Sequence, residues 1–231
     1  MWRLVRRELI HRFDLTVSEA QELQRLLGAR VEIQDRLPPV IESVCGVDVS
    51  HSRFSTKVYA AAVLLSFPEM NKIAESFALR EASFPYVPGL LAFRELPAVL
   101  DCIDKLPSPP DLVMVDGHGL AHPRRFGIAC HLGVLLDVPS IGCAKSVLVG
   151  TAFPPGNGFG DRTELRDGAD LLGYAVRTRP GAKPVYVSPG HRVSPKTAVS
   201  LVLRCCMGFR IPEPLRQAHI AANRARNQAE L

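Results

Sequence analysis

The chain has 231 residues, 47% hydrophobic and 22% charged, with 28 basic against 23 acidic side chains and a formal charge of +5. That size, with no linker and no shift of composition, suits a single domain over residues 1–231, and the mild positive bias suits a polyanionic partner without requiring one. Six cysteines without a Cys-x-x-Cys pair exclude a zinc cage or a dithiol redox motif and read as buried, reduced thiols of a cytoplasmic protein, and no apolar run approaches the ~18 residues of a membrane span.

The basic start (Arg3, Arg6, Arg7) lacks the apolar stretch of a signal peptide. Thr16-Val-Ser-Glu19 is a capping box, in which the threonine oxygen accepts from a free N–H of the first turn and the glutamate reaches back. Val17, Ala20, Leu23, Leu26 and Leu27 then form one apolar helical face that Gly28 ends. Val44–Ser50 is a short buried strand interrupted by one acid, Asp48. Lys57–Phe67 and Ile73–Phe84 read as longer strands joined at Pro68–Asn71, so the three make an antiparallel meander. Pro85-Tyr86-Val87-Pro88-Gly89 is a stiff turn, since two prolines lack donors and restrict the residues before them. A helix begins at Leu90 and resumes past Pro97 to Ile103.

The centre of the chain is a strand–helix–strand unit. Leu112–Val115 is a buried strand ending in Asp116 and glycines, a polar and basic turn follows, Ile128–Leu136 is an apolar helix, and Ile141–Ala144 is a strand ending in Lys145. Ligands of such sheets sit outside the carboxyl ends of the strands, which points Asp116 and Lys145 into one crevice. Thr151–Asp170 is loop-like, Asp170–Thr178 and Lys183–Ser188 form a strand pair, and Ser188-Pro-Gly-His191 is another stiff turn. Ser194 caps a helix with Pro195 at its first position, running to about Met207. The tail from Arg210 starts extended and turns helical, and its polar last dozen residues are expected to fray.

Three carboxylates sit among apolar neighbours: Asp48 in a strand, Glu95 on a helix and Asp116 at a strand end. A buried carboxylate is costly unless paired or bound to metal, and each alone could be a satisfied polar group. Three that converge, with no cysteine or histidine pattern beside them, favour Mg²⁺ or Mn²⁺ over zinc, a setting for phosphoryl transfer. Phosphate-binding residue types surround them: Arg94, His122, Arg124, Arg125, Lys145, His191 and His219. Gly117, Gly119, Gly127 and Gly142 allow close approach of backbone to a ligand. Tyr86, rigidly mounted between Pro85 and Pro88, is either an ordinary loop residue or a ring that stacks on or wedges between bases.

Val47-Asp48, Pro85–Glu95, Val115–Arg124, Gly142–Ser146 and Ser188–His191, taken in order, resemble the endonuclease V family of deoxyinosine-specific repair nucleases. The resemblance covers the chain from Asp48 to about His219; His118 departs from the glutamine common there and receives no role. It implies a ribonuclease-H-like α/β fold: a mixed central sheet, with an antiparallel three-strand meander plus parallel strands, flanked by helices. It implies Asp48, Glu95 and Asp116 as metal-binding acids for Mg²⁺, with Mn²⁺ able to substitute, and His219 as a further active-site residue. It implies Tyr86 in its turn of Pro85 and Pro88 as a wedge at the lesion, with Arg94, His122 and Lys145 on the substrate backbone. The flipped base would lie near Leu91, Gly117, Gly119, Ile128 and Gly142. The implied reaction is hydrolysis of the second phosphodiester bond 3′ to deoxyinosine, leaving 3′-hydroxyl and 5′-phosphate ends. Two alternatives stay open: a nuclease of the same fold that acts on inosine in RNA or on particular structures, and a non-catalytic nucleic-acid binder. Retention of all three acids weighs against the binder, because negative charge beside phosphates hinders binding alone.

Overall fold

The computed structural model describes residues 11–51 and 55–229, so the basic start lies outside the described residues. One eight-stranded sheet runs through the molecule. Its strands are β1 (Ser43–His51), β2 (Lys57–Ser66), β3 (Lys72–Glu81), β4 (Leu112–Val115), β5 (Ser140–Ala144), β6 (Arg162–Asp167), β7 (Asp170–Val176) and β8 (Val185–His191), in the order β3-β2-β1-β4-β5-β8-β7-β6. The meander β1-β2-β3 is antiparallel, β4 and β5 join it parallel to β1, and β8, β7 and β6 return antiparallel. This is the mixed ribonuclease-H-like architecture, with a three-strand meander and parallel strands beside it. β4 is buried at every position, as a central strand covered on both faces must be.

Helices cover both faces. Residues of α1 (Val17–Gly28), α2 (Leu91–Asp104) and α3 (Ile128–Leu136) pack in one apolar core with Cys45 and Val47 of β1. Residues of α4 (Pro195–Arg204) and α5 (Glu213–Ala229) pack in the other with Val44 and Met114. The capping box at Thr16 forms as the sequence requires. Val17 and Leu26 are nevertheless exposed, and α1 buries Ala20, Gln24 and Leu27 instead. The stripe therefore contains a polar residue whose function becomes apparent at the site.

Four elements depart from the sequence reading. Pro97 does not divide α2: it lacks the N–H that would meet the Phe93 carbonyl, but Leu96, Ala98 and Val99 around it are fully buried, and that packing carries the helix across. β6 lies inside the expected loop; it is an edge strand with Leu165 its only buried residue, so the sequence carries no alternation to reveal it. Ser188–His191 is not a turn but the end of β8, where Pro189 is accommodated beside a register shift in the β5 pairing. The tail helix α5 continues to Ala229, because Ala218, Ala221 and Ala222 bury a small-residue face against the sheet. Gly46 admits this helix: a Cβ there would lie 2.0 Å from the Pro214 carbonyl oxygen.

Candidate active site

β1, β4 and β5 are adjacent and parallel; Asp116 and Lys145 directly follow β4 and β5, and Asp48 lies inside β1 where its pairing with β4 ends. The register pairs Val47 with Val115, so Asp48 and Asp116, each one residue later, emerge on neighbouring strands about 5 Å apart. Lys145 follows β5, and its ammonium is in short contact with Asp116 Oδ2. His219 arrives from α5, its Nδ1 2.7 Å from Asp48 Oδ2. One ligand atom from each of Asp48, Asp116 and His219 lies within 4.8 Å of the others.

Glu95 is outside that group. It comes from α2, across the sheet from α5, and its Oε1 is 2.8 Å from His51 Nε2. His51 was not singled out in the sequence because it sits at a strand end with no motif around it. Burial pushes the Glu95 carboxyl above its usual range, the His51 contact opposes this, and Asp48 and Asp116 raise it further, so the three acids sense one another. Asp48 is also pushed up, first by burial and then by Asp116, against the pull of the His219 hydrogen bond. Neighbouring carboxylates repel one another and a bound positive charge removes that repulsion, so this cluster has the chemistry to hold a cation. Lys145 supplies one such charge at Asp116, a stand-in for a harder ion. Two carboxylates and one imidazole without a thiol fit Mn²⁺ or Mg²⁺.

Beside the acids lies a cavity of about 200 Å³ bordered by Tyr86, Leu91, Gly117, His118, Ile128 and Leu148. That is below the ~300–1,000 Å³ of drug-sized pockets and is the scale of one flat base. Gly117 adjoins Asp116, so cavity and acids are contiguous. Tyr86 stands over the mouth 73% exposed, flanked by exposed Pro85 and Pro88, which removes the reading of a packed loop residue. The turn holding it is fixed from below. Gly89, at φ +76°, turns its carbonyl onto three donors: Gln24 Nε2 at 3.1 Å, His122 Nε2 at 2.9 Å and Arg124 Nη2 at 2.7 Å. Gln24 is thus the buried polar residue of α1, and nothing in its helical spacing announces that function.

The structure moves several expected contacts. His122 is 3% exposed, with Nε2 on Gly89 and Nδ1 accepting from the Arg124 N–H, so both ring nitrogens brace the Tyr86 turn at the border of the cavity. Burial lowers its pKa to about 4, and the ring is neutral. Arg94 donates to the carbonyls of Phe84 and Ser55, at 3.0 Å each, and likewise anchors the turn. Leu91, Gly117 and Ile128 border the cavity as expected, but Gly119 and Gly142 do not. The Gly119 N–H donates to Ser188 Oγ at 2.8 Å, and a Cβ on Gly142 would lie 2.4 Å from Gly119 N, so both glycines serve the packing of strand on turn beneath the cavity. His118, given no role from sequence, borders the cavity and holds Ser146 O through Nε2 at 3.0 Å; burial lowers its pKa.

A sheet of this order, with one acid within its first strand and another just after its fourth, places the protein among ribonuclease-H-like phosphodiester hydrolases. The chain belongs to the endonuclease V family, whose model matches residues 25–220. It is 50% identical to endonuclease V of Roseiflexus castenholzii over 216 residues, 94% of this chain and 96% of the relative. The structure of endonuclease V from Streptomyces avermitilis superposes with a TM-score of 0.89 at 45% identity, covering 94% of this chain and 95% of that one. Endonuclease V of Ciona intestinalis, in complex with a 23mer DNA containing an inosine followed by a ribo-adenosine, superposes at 0.80 with 29% identity over 93% and 97% of the two chains. The protein is an endonuclease of this type.

Proposed function

We propose that the protein repairs deaminated adenine: it binds DNA at deoxyinosine, draws the hypoxanthine base into the cavity under Tyr86, and hydrolyses the second phosphodiester bond 3′ to it with Mg²⁺ or Mn²⁺. The observation that carries this reading is the contiguity, through Gly117, of a base-sized cavity with the Asp48–Asp116 pair. The Ciona relative in complex with inosine-containing DNA supports the choice of base and polymer. No helix of the described residues is long and apolar enough to cross a membrane. The six free thiols, five of them buried, support a reducing compartment such as the cytoplasm.

Each part of the site then has a task. Asp48, Asp116 and His219 would hold the cation, with Glu95 entering from its His51 contact. When bound, such an ion neutralises charge developing on the phosphate oxygens. Lys145 can move its ammonium from Asp116 to a phosphate oxygen. Tyr86 fills the gap left by the extruded base, at a cost in unpairing that is lowest for mispaired bases. Leu91 and Ile128 wall the cavity and select by shape, and Gly117 is the one of the three expected glycines whose backbone borders it. Selection by buried hydrogen bonds is stringent, since a wrong base leaves polar groups unpaired.

RNA containing inosine is the second reading, favoured by the ribonucleotide that follows inosine in the Ciona complex. Cleavage assays with Mg²⁺ on matched duplexes and single strands, carrying inosine in DNA, inosine in RNA or no lesion, test both. Inosine DNA should be cut at one site with 3′-hydroxyl product. Equal cutting of undamaged DNA overturns the lesion reading, and exclusive cutting of RNA replaces the first reading with the second.

A further inference from the structure

α5 lies alongside β1 in the same direction, brought close by Gly46. Two strand residues, Asp48 and Ser50, two positions apart, face two helix residues, His219 and Asn223, four apart. The rises match: about 6.6 Å along the strand against about 6 Å along the helix. The result is a continuous chain of hydrogen bonds. The buried Ser50 Oγ donates to Asn223 Oδ1 at 2.8 Å, Asn223 Nδ2 donates to His219 Nε2 at 3.0 Å, and His219 Nδ1 donates to Asp48 Oδ2 at 2.7 Å. Every donor meets an acceptor only if the imidazole carries its proton on Nδ1.

We propose that Asn223, backed by Ser50, is a positioning residue that serves both tautomers of His219 and thereby lets His219 change from a partner of Asp48 to a ligand of the cation. The inference rests on the reading of Asp48 and Asp116 as a cation site. A ligating Nδ1 must offer a lone pair, so its proton goes to solvent while Nε2 takes one from solvent, and the ring's charge is unchanged. The new Nε2–H needs an acceptor. A half-turn of the Asn223 amide presents Oδ1 to it and Nδ2 to Ser50, whose hydroxyl accepts as readily as it donates. Both arrangements keep the two ring nitrogens of His219 and the two ends of the Asn223 amide engaged. A leucine could serve neither ring nitrogen and an aspartate only the Nε2–H form, so the side-chain amide is the chemistry the two states require. Outer partners of ligating histidines of this kind fix ring orientation and change metal affinity by about 10–100-fold.

The test uses the full chain without DNA, with Mg²⁺ as the probe for NMR and Mn²⁺ for calorimetry. Nitrogen-15 NMR of the His219 ring should show the Nδ1–H tautomer without metal and the Nε2–H tautomer on addition of diamagnetic Mg²⁺. Asn223→Leu should bind Mn²⁺ about tenfold more weakly by calorimetry with an unchanged melting temperature, and Asn223→Gln should recover most of that loss. Ser50→Ala, the milder change, should blur the tautomer preference in the metal-free protein and settles the matter if Asn223→Leu does not fold. Wild-type affinity in Asn223→Leu, or an undisturbed Nδ1–H signal in Ser50→Ala, overturns the inference. A wild-type protein that binds no Mn²⁺ overturns instead the reading of the site on which it rests.

Discussion

The cavity under Tyr86 and the acid cleft next to it are built in opposite ways. Around the cavity the polar groups are matched: the Gly89 carbonyl has three donors, both ring nitrogens of His122 are engaged, and the Gly119 N–H has Ser188. In the cleft, the buried Glu95 and the half-buried Asp48 lie near like charges, and both have their ionisation resisted. The cavity side is held by neutral hydrogen bonds, whereas the cleft gathers like charges beside Lys145, His219 and His51, the setting on which the proposed cation rests. Substitutions should therefore cost stability at the cavity and activity at the cleft.

Gly142→Val is the severest way to break the cavity side. Its branched side chain has to enter where even a Cβ lies 2.4 Å from Gly119 N and 2.7 Å from Gly117 O. The expected loss is about 3 kcal/mol or more of folding stability, read by urea denaturation, with failure of the cavity as a consequence. A Gly142→Val protein as stable as wild type would show that the turn beneath the cavity is loose.

His122 gives the same side a pH signature. Its folded pKa of about 4 lies below the ordinary 6.5, so below pH 6.5 the unfolded chain takes up a proton that the folded chain refuses. Its contribution is complete above pH 6.5 and falls away as the pH drops towards 4. Between pH 7.5 and pH 5 this amounts to about 2 kcal/mol. Denaturation at the two pH values should show a smaller difference in His122→Gln than in wild type; equal differences would remove the brace role.

Tyr86→Ala sharpens the comparison from the substrate side. The residue is exposed and its loss should leave melting unchanged, while binding to inosine duplexes weakens by about 1–3 kcal/mol. The loss should be smaller on single strands, where no gap has to be filled. Equal losses on both would contradict a wedge.

The sequence shows the cleft better than the cavity. An acid that interrupts or follows an apolar strand is readable because it breaks the pattern, as Asp48 does in β1 and Asp116 does after β4. β6 has no such pattern, having one buried residue, and the last part of β8 hid behind a proline and a glycine. Glycines at 117, 119 and 142 signal close approach but not to what: one borders the cavity and two touch neighbouring chain. His122 and Arg94 have the residue types of phosphate ligands, and only burial distinguishes a brace from a contact. His51, Ser50 and Asn223 belong to the site through pairing between strand and helix, which no local pattern encodes.

The most direct measurement of the central claim is the melting temperature of wild type and Asp48→Asn, each with and without Mn²⁺. Asp48→Asn keeps shape but removes the charge that Asp116 opposes. Without metal the variant should melt at or above the wild-type temperature. Mn²⁺ at 100 times its dissociation constant should stabilise wild type by about 2.7 kcal/mol and the variant hardly at all, and cleavage of inosine DNA should be lost with it. A variant that melts several degrees lower without metal, or that gains as much from Mn²⁺ as wild type does, would contradict a cleft left incomplete for a cation.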